Sequence, residues 1–223
     1  ERAQQRADLL GVFRGLRLNR IRWFIIAGAF VGLNLYTYLA ARLFPLGIAL
    51  IFLYFVAFDR GHRLDRVTQF VVTVASAVIV FLPLGVYFAQ HPAAFLTRIQ
   101  QVAPRGHQLA PLLENVLRAL GMFFVEGDPY IRFNLPGRPL FPVLLGVLFL
   151  LGFVVAVMGV FRGRTVQRRG AYFSLIVLTL IMLLPTALAV NEITPSNLRA
   201  IGLMPMVFVF PALGAWWVIK TVW

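Results

Sequence analysis

Six stretches of this chain contain no Asp, Glu, Lys or Arg and are long enough, or nearly so, to cross a bilayer. They are Trp23–Ala41, Leu43–Phe58, Val67–Phe88, Leu140–Phe161, Ala171–Val190 and Ala200–Ile219. A hydrocarbon core of about 30 Å takes roughly 20 helical residues. In lipid every backbone N–H and C=O must be bonded within its own segment, so these stretches are helices. Of the 223 residues, 60% are hydrophobic and 13% charged. A soluble domain carries about 25% charged residues and has too little interior for so much apolar surface. The expected fold class is all-α: a polytopic membrane helical bundle of about six transmembrane helices in a single domain, 1–223. The chain starts at Glu1 and stops at Trp223 on a still-apolar segment. Both ends read as cuts through a longer protein.

Only Arg42 separates the first two windows. One continuous helix over both would far exceed the bilayer thickness at about 1.5 Å per residue. A tight hairpin is expected instead, with Pro45 in the first turn of the second helix, where its missing N–H costs nothing. The net charge is +13. The arginines are scattered between apolar spans, and neither a recognition helix nor an aromatic–basic platform accompanies them, so nucleic acid is not the expected partner. Their distribution reads as topology. With the N-terminus inside, the inner segments hold Arg2, Arg6, Arg14, Arg17, Arg20 and Arg22, then Arg60, Arg63 and Arg66, then Arg162, Arg164, Arg168 and Arg169, then Lys220. The outer segments hold Arg42, Arg98, Arg105, Arg118, Arg132, Arg138 and Arg199. The dense short loops lie inside, as the positive-inside rule requires. The chain is therefore expected to be an integral membrane protein with a cytoplasmic N-terminus.

The long outer connection, 89–139, has its own pattern. Leu109, Leu112, Leu113, Val116, Leu117 and Leu120 follow helical spacing, and Glu114 with Arg118 makes an i, i+4 pair. A helix over Pro111–Val125 is expected to lie in the interface plane. Gly28 and Gly32 give Gly-x-x-x-Gly, which permits close helix packing. Pro83, Pro185, Pro205 and Pro211 are expected to kink three of the spans.

No span has an ionisable residue in its middle. Intramembrane charges mark ion paths and proton relays, so the pattern disfavours a pump or channel within this segment. Chemistry is expected at the outer surface. Arg42 and Arg199 abut spans and could hold a phosphate in a bidentate manner, although an interfacial arginine needs no ligand. Arg199 is expected in the first turn of the sixth helix, with Glu192 as a nearby carboxylate. Tyr36 and Tyr38 could stack on a sugar; an aromatic belt is the commoner reading. Glu126 and Asp128 read as a solvated loop tip, and His91 and His107 as too isolated for a metal site.

Three segments resemble membrane glycosyltransferases of the GT-C type, such as protein O-mannosyltransferase and aminoarabinose-transferase relatives. They are Gly32–Pro45 (GLNLYTYLAARLFP), Gly127–Leu140 (GDPYIRFNLPGRPL) and Thr194–Pro205 (TPSNLRAIGLMP). With the spans between them the resemblance covers nearly the whole chain. It implies a C-terminal membrane part of an enzyme that moves a sugar from a polyprenyl-phosphate donor to an acceptor on the outer face of a bacterial inner (plasma) membrane. Membrane lipid and the polyprenyl-phosphate-linked sugar would be its partners. It assigns Arg42 and Arg199 to the lipid phosphate and Tyr36, Tyr38, Asn134 and Arg138 to substrate. The acidic catalytic residue, and any divalent metal it binds, would belong to an upstream loop that this sequence does not contain. The alternative expectation is a non-catalytic transport or scaffold protein for lipid-linked glycans.

Overall fold

The computed structural model describes residues 20–102 and 109–223. Arg105 and His107, and the arginines from Arg2 to Arg17, lie outside the described residues. Among the described residues the helices are α1 (Ile21–Asn34), α2 (Phe44–Phe58), α3 (Arg63–Gln90), α4 (Pro92–Val102), α5 (Leu109–Gly121), α6 (Val143–Arg162), α7 (Val166–Ala187), α8 (Met204–Val207) and α9 (Val209–Val222). Short 3-10 turns cover Leu39–Leu43, Arg60–His62 and Ile201–Leu203.

Five runs are long and apolar enough to cross a membrane: Leu39–Phe58, Arg60–Gln90, Val143–Arg162, Val166–Ala187 and Ile201–Val222. The expected helical membrane bundle is what forms. One expected boundary is corrected. The first window was expected to be helical to Ala41, but α1 stops at Asn34. Its 14 residues rise about 21 Å, less than the core is thick. The chain bends inside the apolar run because turn bonds satisfy its backbone: Leu35, Tyr36 and Thr37 N–H donate to the Gly32, Leu33 and Asn34 carbonyls. Asn34, Ala40 and Ala41 are buried in protein there, where irregular backbone is tolerated within a membrane.

The short helix α1 and the five membrane-length runs pack in a row, α1–α3–α2–α7–α6–α9. The outer pairs in this row run parallel and cross on small residues. A Cβ on Gly28 or Gly32 would overlap the Thr73 or Ala77 carbonyl of α3, and the Ser76 hydroxyl donates to the Ile25 carbonyl at 2.7 Å. The Gly-x-x-x-Gly reading is thereby realised. At the other end of the row Gly152 of α6 faces Gly214 of α9, and a Cβ on either would overlap the partner helix's backbone. Phe24, Phe52, Phe55 and Phe210 fill the core.

Helix α3 is inverted relative to a water-soluble helix. It buries Arg66, Gln69 and Thr73 and exposes Val67, Val71, Val74, Val78 and Leu82. Such an outward apolar face suits lipid. At the short-loop end, Arg66 is 4% exposed. Its Nε donates to Asp59 Oδ2 at 2.9 Å, its Nη2 lies 2.8 Å from the same oxygen, and its Nη1 donates to Gln69 Oε1 at 2.8 Å. Burial of Asp59 raises its carboxyl pKa, but the hydrogen bonds and charges of Arg66 and His62 outweigh that and hold it below the ordinary carboxylate value.

The last span is interrupted. The break falls at Phe208, between α8 and α9. Pro211 lacks the N–H that would bond the Val207 carbonyl and its ring crowds that carbonyl, so the turn opens there.

Candidate functional site

The long-loop end carries the polar architecture. Helix α5 overlaps the expected Pro111–Val125 but starts at Leu109 and ends at Gly121, where the Val125 and Glu126 N–H turn back onto the Gly121 carbonyl; it presents three faces. Val116 and Ala119 turn inward, where α5 packs on α7. Leu109, Leu113, Leu117 and Leu120 form an exposed apolar stripe. Glu114 and Arg118 pair at 2.7 Å on the third face. The leucine pattern is thus shared between protein and surroundings, as an interfacial helix requires. Helix α4, which the reading of 89–139 as a loop did not include, stands between α3 and α5.

After α5 the chain clamps onto the bundle. Leu140 and Phe141 N–H donate to the Met122 and Phe123 carbonyls, and Phe123 stacks on Phe149 at 5.2 Å. The expected solvated tip at Asp128 is corrected: Asp128 is 1% exposed. One carboxylate oxygen accepts from Tyr130 N at 2.8 Å and the other from Asn197 N at 2.7 Å. The Asn197 amide in turn donates to the Phe133 carbonyl at 3.2 Å. A carboxylate buried with two backbone N–H donors is a loop staple. The signal available in sequence was the Asp-Pro turn, which does not reveal a partner 69 residues away.

Against this frame of loops lies a cavity of about 660 Å³. Helix α5 contributes Glu114, Asn115 and Arg118, the following loop contributes Glu126, and the segment after α7 contributes Glu192 and Thr194. The Asn115 Nδ2 is buried without a hydrogen-bond partner. Three carboxylates, an amide and a guanidinium offer acceptors and donors to a hydroxyl-rich molecule.

None of the six residues singled out from sequence lines this cavity. The Arg199 Nη1 donates to the Ile193 carbonyl at 3.0 Å and its Nη2 pairs with the Glu192 carboxylate, the counter-ion expected for it. Its expected place in a helix first turn is corrected: it lies in a turn ahead of Ile201–Leu203, because the bond of Ala200 N–H to the Ser196 carbonyl closes the chain before the helix begins. Arg42, in the last turn of Leu39–Leu43, sits with its guanidinium 5.0 Å from the Phe88 ring and 4.7 Å from the Phe95 ring. Neither arginine lines the cavity.

Tyr36 has an internal role. Its hydroxyl donates to the Val80 carbonyl at 2.9 Å and accepts from Leu84 N at 3.4 Å, inserting into the α3 ladder beside Pro83. Tyr38 is half-buried just before the 3-10 turn and its carbonyl accepts from Ala41 N. The Asn134 amide donates to the Asp128 and Arg138 carbonyls at 3.1 and 2.6 Å, and Arg138 is exposed. His91 stacks on Tyr87 at 4.6 Å. Among the described residues no group of three or more His, Cys, Asp or Glu is placed to hold a metal ion. No family model, no curated protein and no solved structure matches this chain.

Proposed function

We propose that this chain is the membrane-embedded part of a glycosyltransferase that uses a polyprenyl-phosphate sugar at the surface carrying the long loop. One observation carries the reading: a polar cavity lined by Glu114, Asn115, Glu126 and Glu192 opens at the end of an apolar helical bundle. An amphiphilic donor needs that pairing, with carboxylates and an amide for sugar hydroxyls and lipid-facing helices for the isoprenoid. Two of the segments that resemble GT-C enzymes, Gly127–Leu140 and Thr194–Pro205, are tied together at its rim through Asp128 and Asn197. In this reading Arg199 exchanges its Glu192 partner for the lipid phosphate, and Arg42, between two phenylalanines, contributes a second cation. The orientation that goes with it has the N-terminus cytoplasmic in a bacterial inner membrane, on the arginine asymmetry.

The test is transfer of labelled sugar from polyprenyl-phosphate donors by the full-length protein in membranes. Arg199→Lys keeps the charge but loses the bidentate fork, and should lower donor use at least tenfold relative to Arg132→Lys, a change in an exposed loop. Equal activity of the two variants overturns the phosphate assignment. The internal saturation of Asp128 and Asn134 favours the second reading, a non-catalytic scaffold for lipid-linked glycans. Donor binding without any transfer by the full-length protein would select it.

A further inference from the structure

The short-loop end holds a second recess, of about 450 Å³, between the end of α6, the start of α7 and the end of α9. Arg162, Arg164, Arg168 and Lys220 line it together with Trp216 and Trp217, and no carboxylate does. Among the described residues none of the four cations takes part in a salt bridge; Lys220 lies 5.1 Å from the Trp216 ring. Four like charges around one concavity repel one another unless an anion enters. The surroundings select which anion. Phe161 and Ile219, near the ends of the same helices, and Val154, about two turns further along α6, are exposed apolar side chains, and the two tryptophans are partly exposed beside the cations. Tryptophans at this level belong to the membrane–water boundary, so the recess opens where headgroups lie and acyl chains can run along α6 and α9.

We propose that this recess binds the phosphate headgroup of an acidic phospholipid from the adjoining leaflet. Arg162, Arg164, Arg168 and Lys220 neutralise the headgroup, the indoles flank its glycerol region, and the outward faces of α6 and α9 receive the chains. A headgroup with net negative charge is drawn to the four cations, whereas the phosphate of a zwitterionic lipid is offset by its own ammonium. The inference does not depend on the glycosyltransferase reading, because lipid retention is measured without sugar transfer.

The experiment is native mass spectrometry of the protein in micelles containing equal amounts of phosphatidylglycerol and phosphatidylcholine. Phosphatidylglycerol should be the lipid retained. Removing one charge near an anionic headgroup weakens binding roughly fivefold, so Arg168→Gln and Lys220→Gln should each lower retention by about that factor. Arg168→Lys should stay within about twofold, since the point charge persists. Arg132→Gln, at the other end of the bundle, should leave retention unchanged. Equal retention of the two lipids by the unaltered protein overturns the proposal, and this comparison needs no variant to fold. Retention by Arg168→Gln and Lys220→Gln equal to that of Arg132→Gln overturns it as well. Displacement of phosphatidylglycerol by an equal concentration of inorganic phosphate would identify a simple ion site and reject the lipid assignment.

Discussion

Replacing Arg66 by Met should cost this fold more than any other single charge removal at the short-loop end. The side chain is 4% exposed, contacts one Asp59 oxygen through two nitrogens at 2.9 and 2.8 Å, and reaches Gln69 at 2.8 Å. Methionine approximates the aliphatic stem but leaves the Asp59 carboxylate buried with His62, 3.3 Å away, as its remaining side-chain partner. Breaking a buried pair by removing one member costs about 3–5 kcal/mol, mostly the penalty of the charge left behind. At about 2–4 °C per kcal/mol for a chain of this size, the melting midpoint in detergent should fall by roughly 6–20 °C. Adding Asp59→Asn to Arg66→Met removes the stranded charge and should recover most of the loss, so the two changes are strongly non-additive. The pH dependence has a definite sign. Asp59 titrates below an ordinary carboxylate in the folded protein. The pair's contribution is therefore complete above the unfolded value of about 3.9 and disappears as pH falls from there through the lower folded value. The double variant should lack that acid-side component. A melting midpoint for Arg66→Met within 2 °C of the unaltered protein, or additive effects in the cycle, would refute the reasoning.

Other outcomes follow from the packing. Gly152→Leu forces a side chain into the α9 backbone and should abolish a cooperative melt, whereas Gly61→Ala, with open space at its Cβ, should change stability by less than about 0.5 kcal/mol. Tyr36→Phe removes the hydroxyl at the Pro83 step and should cost about 1 kcal/mol; a loss no smaller in a Pro83→Ala background would show that the hydroxyl does not serve the proline. Leu113, 58% exposed, should report a bilayer depth near the headgroups when it carries a spin label, and a fully water-exposed signal would detach α5 from the interface. The chain contains no cysteine, so single cysteines at Gln167 and Ile131 can be labelled from either side of the membrane and should react from opposite faces.

The sequence alone determined that this chain is a helical bundle for lipid. Charge-free apolar windows have one low-energy solution in a bilayer, and that argument needs no partner residue. The leucine spacing likewise located α5, and Glu114 with Arg118 is a neighbour pair whose contact follows from helical geometry. Contacts between distant positions were decided only by the tertiary structure. Asp128 looked like a loop tip because its ligand is the backbone of Asn197. Tyr36 read as a belt aromatic or a sugar platform, and its hydroxyl's bond to a carbonyl 44 residues away became visible only in the fold. Arg66 counted as one more inner charge until α2 and α3 brought Asp59 against it. Arg42 and Arg199 stand at span ends as read, but one is flanked by rings of α3 and α4 and the other is occupied by its own loop's carboxylate. The common physical reason is that hydropathy is a property of a segment, whereas the satisfaction of a polar group depends on which atoms folding brings within about 3 Å of it.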